Sequence, residues 1–293
     1  MHFRKLTIVG VGLLGGSLGL AVRQGGLAAR VVGLVRRQES IAECASVAAV
    51  DLATLDDKEA VEGADLVVLC TPVGQMTAMA KRLLPFLSPG CIVTDVGSVK
   101  APVVRDLEPM IASVGAHFVG SHPMAGGERM GVKASRVDLF KNAVCVVTPT
   151  RRSPQESVKR VKELWRAVGC RVLRLSPENH DEMVSRASHL PHIVAAGLAN
   201  YVLSPIHAKE QATLCATGFR DTTRIASGSP EMWRDIAIAN RDHLMRVLGV
   251  FVEDLQEFRH ALEVSDQAAI AEFFEKAKAR RDTWIAENQA TAE

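Results

Sequence analysis

The stretch "VGSHPMAGG" (residues 119–127) sets His122 beside a proline and between glycines, in a chain of 293 residues with nine histidines. An imidazole titrates near neutral pH, so a histidine held at the end of a strand is suited to accepting a proton from a substrate. Three further stretches carry chemistry-bearing side chains: "NHDE" with His180 and Asp181, "SHLPH" with Ser188, His189 and His192, and "GFRDTTRIA" with Arg220, Asp221 and Arg224. His189 and His192 are three residues apart and share one helical face. Taken singly, each histidine reads as a hydrogen-bonded structural residue; grouped with His122 they point to proton transfer. An H-x-x-H pair can also donate two metal ligands, but there is no H-E-x-x-H, no paired cysteines and no third ligand at a defensible spacing, so no metal is expected.

The elements that must position these residues are legible upstream. "KLTIVGVGLLGGSLGLAVRQGG" reads as a strand from Leu6 to Val9, a glycine turn, and a helix from Leu13 that ends at Gly25 and Gly26. Gly10, Gly12 and Gly15 give G-x-G-x-x-G in its required strand-to-helix setting: Gly10 for the tight turn, Gly12 for backbone approach to a pyrophosphate, Gly15 for close packing of helix on strand. Leu13 and Leu14 open the helix whose N-terminus would face the anion. Further strands are expected at 30–35, 65–72, 91–98, 117–123, 142–150 and 170–176, with helices between several of them. The fold class is therefore α/β, a doubly wound, mostly parallel sheet of Rossmann type. Ligands of such sheets sit beyond the carboxyl ends of the strands, which puts Thr71, Ser98 and His122 on one rim, and Thr71, Pro72 and Ser98 are expected among the cofactor contacts.

The second strand closes with Val35, Arg36 and Arg37 where an acidic residue would hold the ribose hydroxyls of NAD. Two guanidiniums can fork onto a ribose 2′-phosphate, which favours NADP; stacking of one arginine on adenine would leave NAD usable.

Beyond Ser176 strand signals cease. "SPQESVKRVKELWRAVG" is expected to begin with a capping box, Ser153 with Glu156, and Pro154 at the first helical position. A helix is expected from Glu178 to Leu203, with a kink or break at Pro191. Leu244, Leu248, Phe251, Leu255, Phe258 and Leu262 form a stripe at spacings of four and three, read as a packed helical seam. The expected division is a dinucleotide-binding domain over 1–175 and an all-α helical domain over 176–293, through which the chain is expected to form a homodimer.

Composition narrows the partners. With a formal net charge of +2 and interspersed charges there is no basic field for nucleic acid. "MHFRKLTIVG" runs directly into a strand, so neither a signal peptide nor a membrane anchor is expected. Cys44, Cys70, Cys91, Cys145, Cys170 and Cys215 are scattered without a C-x-x-C pair, as expected of reduced thiols in a cytoplasmic protein. A small soluble ligand is the expected partner.

"GVGLLGGSLG", "CTPVGQM", "TDVGSVK", "GSHPMAGGERMGV", "LFKNAVCVVTPT", "HD", "SHLPH" and "GFRDTTRIASGSPEMWRDI" occur in this chain in the order seen in the prephenate and arogenate dehydrogenases of tyrosine biosynthesis, which it resembles over nearly its whole length. The resemblance implies oxidative decarboxylation of prephenate to 4-hydroxyphenylpyruvate, or of arogenate to tyrosine, with a nicotinamide cofactor as hydride acceptor. It implies His122 as acceptor of the substrate hydroxyl proton and Ser98 as the group that hydrogen-bonds the same hydroxyl. Arg224 would bind a substrate carboxylate, His192 would contact or place the ring carboxylate, His189 and Asp181 would support the substrate site, and Trp233 would wall it. Because the sequence starts at the dinucleotide fold and stops shortly after the bundle helices, neither a fused chorismate mutase nor a C-terminal regulatory domain is expected.

Two other readings are compatible with the glycine turn. A β-hydroxyacid dehydrogenase would need a catalytic lysine in the second domain, and "SHLPH" supplies none. A non-catalytic NADP sensor would not need His122, Ser98 and Arg224 together.

Overall fold

The computed structural model describes residues 2–127, 129–207 and 209–290. Strand β1 (Phe3–Val9), helix α1 (Leu13–Gln24) and strand β2 (Ala28–Leu34) open an alternation of strand and helix that continues through α2 (Gln38–Ser46), β3 (Leu52–Thr54), α3 (Asp57–Val61), β4 (Leu66–Leu69), α4 (Val73–Leu83), β5 (Ile92–Asp95), α5 (Ala101–Ala112) and β6 (His117–Phe118). All adjacent pairs of this six-stranded sheet are parallel, in the order β3-β2-β1-β4-β5-β6. The four residues of β4 show why the run is uninterruptedly apolar: Leu66 and Val68 enter one core cluster, Val67 and Leu69 the other, and all four are fully buried. A strand with helices on both faces has no solvent side to accommodate polar residues.

The expected strand over 117–123 is in fact two. After β6 the chain leaves the large sheet and Gly120–Pro123 (β7) joins a second, three-stranded sheet, antiparallel to β8 (Val144–Thr148), which pairs in parallel with β9 (Arg171–Arg174). The change of sheet occurs at Gly120, where a Cβ would lie 2.5 Å from Thr148 Oγ1. The short edge strand β3 was not expected, since three residues carry too little periodicity to register.

Helix α6 (Gln155–Ala167) begins one residue later than expected, and its capping box does not form. Pro154 is the N-cap, while Ser153 Oγ accepts from Thr150 N and donates to Glu108 Oε1 of α5. Helices α7 (Pro177–Val184) and α8 (Leu190–Val202) are joined by a π-helical segment, Ser185–His189, which absorbs the break expected at Pro191. Helices α9 (Thr217–Thr223) and α10 (Pro230–Ala239) follow.

Two compact units result, 1–241 and 242–293, so α7 to α10 pack with the sheet. The second unit is a pair of helices, α11 (Arg241–Glu263, whose first residue belongs to the first unit) and α12 (Gln267–Ala290), in which Phe258 packs against Phe273 and Phe274. Within the chain the apolar stripe of α11 is covered in part: Leu244 is buried, Leu248, Phe251 and Phe258 are half-buried, and Leu255 is 45% and Leu262 53% exposed. Among the described residues no helix is long and apolar enough to cross a membrane.

Candidate active site

The loop from β1 to α1 has the geometry that its glycines allow. Gly10 has φ +92°, and a Cβ on Gly15 would lie 2.2 Å from the Gly10 carbonyl oxygen, so a side chain there would force helix from strand. In front of Gly12 there is open space, with no atom within 4 Å of a Cβ built there. Helix α1 has no side-chain cap and no acidic residue in its first turn, which leaves its N-terminal N–H groups and its dipole available to an anion. Across the rim, at the end of β4, Thr71 Oγ1 is buried without a hydrogen-bond partner among the described residues, and Pro72 caps α4. An uncapped helix, open backbone at Gly12 and an orphaned hydroxyl together fit the pyrophosphate and nicotinamide ends of a dinucleotide. Arg36 and Arg37 are exposed just past the end of β2.

His122 lies in β7 and is 7% exposed. A buried ion pair fixes the strand that carries it. Lys100, fully buried, donates to the Asp95 carboxylate and, at 2.9 Å, to the Ser121 carbonyl. Asp95 also accepts from Gly97 N (2.8 Å) and Ser121 N (3.0 Å), while Ser121 Oγ donates to the Asp95 carbonyl and accepts from Trp165 Nε1 (3.0 Å). The β5–α5 loop, with half-buried Ser98, is thereby tied to the residue preceding His122.

From the helical side, His122 Nδ1 meets His180 Nε2 at 2.8 Å, and His180 Nδ1 meets Asp181 Oδ1 at 2.7 Å. Asp181 is buried and accepts from Lys100 N (2.7 Å) and Ala101 N (2.8 Å), capping α5 from a residue 80 positions away. Its carboxylate is thus committed to α5 and His180 and is not turned towards a substrate. Asn240, at the end of α10, donates from Nδ2 to the Asp181 carbonyl (2.9 Å) and contacts His189 Nδ1 (3.1 Å). His189 Nε2 is buried with no partner at hydrogen-bond geometry among the described residues. Trp233 of α10 stacks on His192 of α8, ring centroids 3.8 Å apart, and presents an edge to His189 at 6.1 Å. Helix α10 reaches the sheet at α4: a Cβ on Gly74 would lie 2.6 Å from Asp235 Oδ2, so only glycine lets that carboxylate approach the start of α4. Arg224 is exposed at the head of a 3-10 turn, Arg224–Ser227, that packs on α8.

Burial sets the charge state of this cluster. Desolvation, followed by the charges of His180, Lys100 and His189, holds His122 well below the ordinary histidine range. Desolvation also lowers His180 against the opposing pull of Asp181, and brings His189 down to about 4. At neutral pH these rings are neutral, and His122 can accept a proton.

Comparison with known proteins decides the family. The profile "Prephenate dehydrogenase, nucleotide-binding domain" matches residues 18–174, and "Prephenate dehydrogenase, dimerization domain" matches 176–276. The chain belongs to the prephenate dehydrogenase family. It is 34% identical over 288 residues to the prephenate dehydrogenase of Bacillus subtilis, covering 94% of this chain and 75% of that one. It is 33% identical to the cyclohexadienyl dehydrogenase of Zymomonas mobilis, covering 95% of each. The crystal structure of the Aquifex aeolicus prephenate dehydrogenase with hydroxyphenyl propionate and NAD+ superposes with a TM-score of 0.89 at 32% identity, covering 96% of this chain and 98% of that one. Two 3-hydroxyisobutyrate dehydrogenases share only the fold, at 14–15% identity and TM-scores of 0.54 and 0.56.

Of the residues singled out from the sequence, His122, Asp181 and His189 are brought into one buried polar cluster, and Trp233 and His192 form one stack beside it. Sequence reasoning passed over Lys100, Asp95 and Asn240, and it mentioned His180 without giving it a role. Only His180 carried a signal, its place in "NHDE" one residue before Asp181.

Proposed function

We propose that this member of the prephenate dehydrogenase family oxidises and decarboxylates prephenate or arogenate with a nicotinamide cofactor, and that His122 accepts the hydroxyl proton of the substrate. The observation that carries this reading is a buried, neutral imidazole on β7, next to the end of β5 through the Ser121–Asp95 hydrogen bonds, anchored through Nδ1 and with Nε2 uncommitted to that anchor. A nicotinamide ring, when bound, supplies the hydride acceptor; the chain's own residues bind, orient and move a proton.

As the C–H electron pair leaves the ring carbon bearing the hydroxyl, the O–H proton passes to His122 and a carbonyl forms. Loss of the ring carboxylate as carbon dioxide returns its electron pair to the ring, which becomes aromatic, and the phenol oxygen regains a proton that His122 can return. Protons and electrons balance: one hydride leaves with the cofactor, one carbon dioxide departs, and the base ends neutral.

In the same reading Ser98 hydrogen-bonds the reacting hydroxyl, Arg224 forks onto a substrate carboxylate, His192 places the ring carboxylate, and Trp233, stacked on His192, forms a wall. His189 supports that wall from its edge. Gly10, Gly12, Leu13, Leu14, Gly15, Thr71 and Pro72 would hold the dinucleotide. Exposed Arg36 and Arg37 favour NADP, with NAD as the second cofactor. A functional division at 175/176 is supported by the meeting of the two family profiles there. The exposed apolar residues of α11 and α12, Val250, Leu255, Leu262, Phe274 and Trp284, support a homodimer formed through these helices. Six free cysteines, four of them buried, suit a cytoplasmic protein.

Parallel turnover assays with prephenate and arogenate, each with NAD and NADP, test the reading. Reduced cofactor and carbon dioxide formed in equal amounts from one of the two acids is the expected result; no turnover of either would reject it.

A further inference from the structure

The pattern of donors around Asp181 fixes which nitrogen of His122 carries its proton. Two backbone N–H groups, of Lys100 and Ala101, donate to the Asp181 oxygens at 2.7 and 2.8 Å, and their direction cannot be reversed. The carboxylate held at the N-terminus of α5 is an acceptor only, so the 2.7 Å contact with His180 Nδ1 is an N–H···O bond and the His180 proton is on Nδ1. A neutral His180 then has a bare Nε2. Its 2.8 Å contact with His122 Nδ1 needs one proton, and only His122 can provide it. A neutral His122 with hydrogen on Nδ1 has its lone pair on Nε2.

We propose that Asp181 and His180 are positioning residues that lock His122 in the Nδ1–H tautomer and so make Nε2 the atom that takes the substrate proton. This rests on the reading of His122 as the proton acceptor. It gives Asp181, expected to support the substrate site, a specific part as the end of a polar chain Asp181–His180–His122. When His122 becomes an imidazolium, its Nδ1–H bond to His180 is kept and the Asp181 carboxylate compensates the new charge through the intervening ring. Among the described residues the other charged or titratable groups facing the pair are Asp95 at the end of β5, Lys100 just before α5 and His189 from the π-helical segment.

Long-range nitrogen–proton NMR on the histidine-labelled wild-type protein at pH 7.5 reads the tautomer without turnover. Hydrogen on His122 Nδ1 and a bare Nε2 are expected; hydrogen on Nε2 would overturn the lock while leaving the role of His122 itself to be judged by its own variant. Kinetics supply the second arm. His180→Leu removes the acceptor, and kcat should fall about 10²-fold with KM changed by less than about threefold. His180→Gln can accept from His122 and donate to Asp181 through one carboxamide, and should retain kcat within about tenfold. Equal loss in the two variants, or no loss in His180→Leu, would overturn the proposal. If His180→Leu does not fold, His180→Gln decides with the tautomer measurement: a folded variant with kcat below about 1% of wild type would overturn it.

Discussion

Lys100→Met tests whether the ion pair beneath the active site holds the His122 strand. The ammonium and the Asp95 carboxylate are both fully buried, and methionine keeps most of the stem volume while deleting the charge. Breaking a buried pair by removing one partner costs about 3–5 kcal/mol, because the remaining charge is left uncompensated. Asp95 would still accept from Gly97 N and Ser121 N, which favours the lower end, about 3 kcal/mol. Denaturant unfolding of wild type, Lys100→Met and Lys100→Met/Asp95→Asn measures it. The double variant removes the stranded charge and should recover about 2 kcal/mol of the loss. Lys100 is also one of the charges that lower His122, so its removal should move the acid limb of the pH–rate profile upward. A single variant within about 0.5 kcal/mol of wild type, or a double variant no more stable than the single, would refute the reasoning.

Other outcomes follow from the same geometry. Gly15→Ala places a Cβ 2.2 Å from a backbone oxygen and should abolish tight dinucleotide binding, measured by calorimetry, while the thermal midpoint without cofactor falls. Stability should fall on acidification: His189 titrates near 6.5 when unfolded and at about 4 when folded, so the unfolded state takes up the proton first and folding loses about 3 kcal/mol between those pH values. His122 and His180 act in the same direction, and His189→Gln should flatten the dependence seen by denaturation at pH 7, 6 and 5. Arg36→Glu should shift the ratio of kcat/KM for NADP over NAD towards NAD by about tenfold or more; an unchanged ratio would remove Arg36 from cofactor selection.

The legible part of this molecule is the part dictated by local backbone physics. Gly10 and Gly15 are required by a positive φ and by a helix pressed on a strand, and those demands are written in the glycine spacing itself. The apolar run of β4 declares a strand buried on both faces. The histidines were legible as a group because the chain has only nine, and two of them share one helical face in "SHLPH".

What was not legible depends on contacts made across the chain. Lys100 reads as an ordinary lysine before a helix; only the folded position of Asp95 and Ser121 makes it a buried strut. Asp181 reads as a polar helical residue, yet it caps α5 because α7 docks there. Asn240 is 59 residues from its partner Asp181, and no spacing rule joins them. The capping box at Ser153 failed for the complementary reason: Glu108, 45 residues earlier, claims the serine hydroxyl. Likewise the α11 stripe has the spacing of a closed seam, but whether Leu255 and Leu262 are covered depends on surfaces outside their own helix.

His122→Asn is the most direct measurement of the central claim. Asparagine can keep a hydrogen bond to His180 but has no lone pair basic enough to accept the substrate proton. Reduction of the cofactor by the preferred acid should fall by about 10²-fold or more, with substrate binding measured by calorimetry retained within a few-fold. Turnover within a few-fold of wild type would contradict the account and return His122 to a structural role.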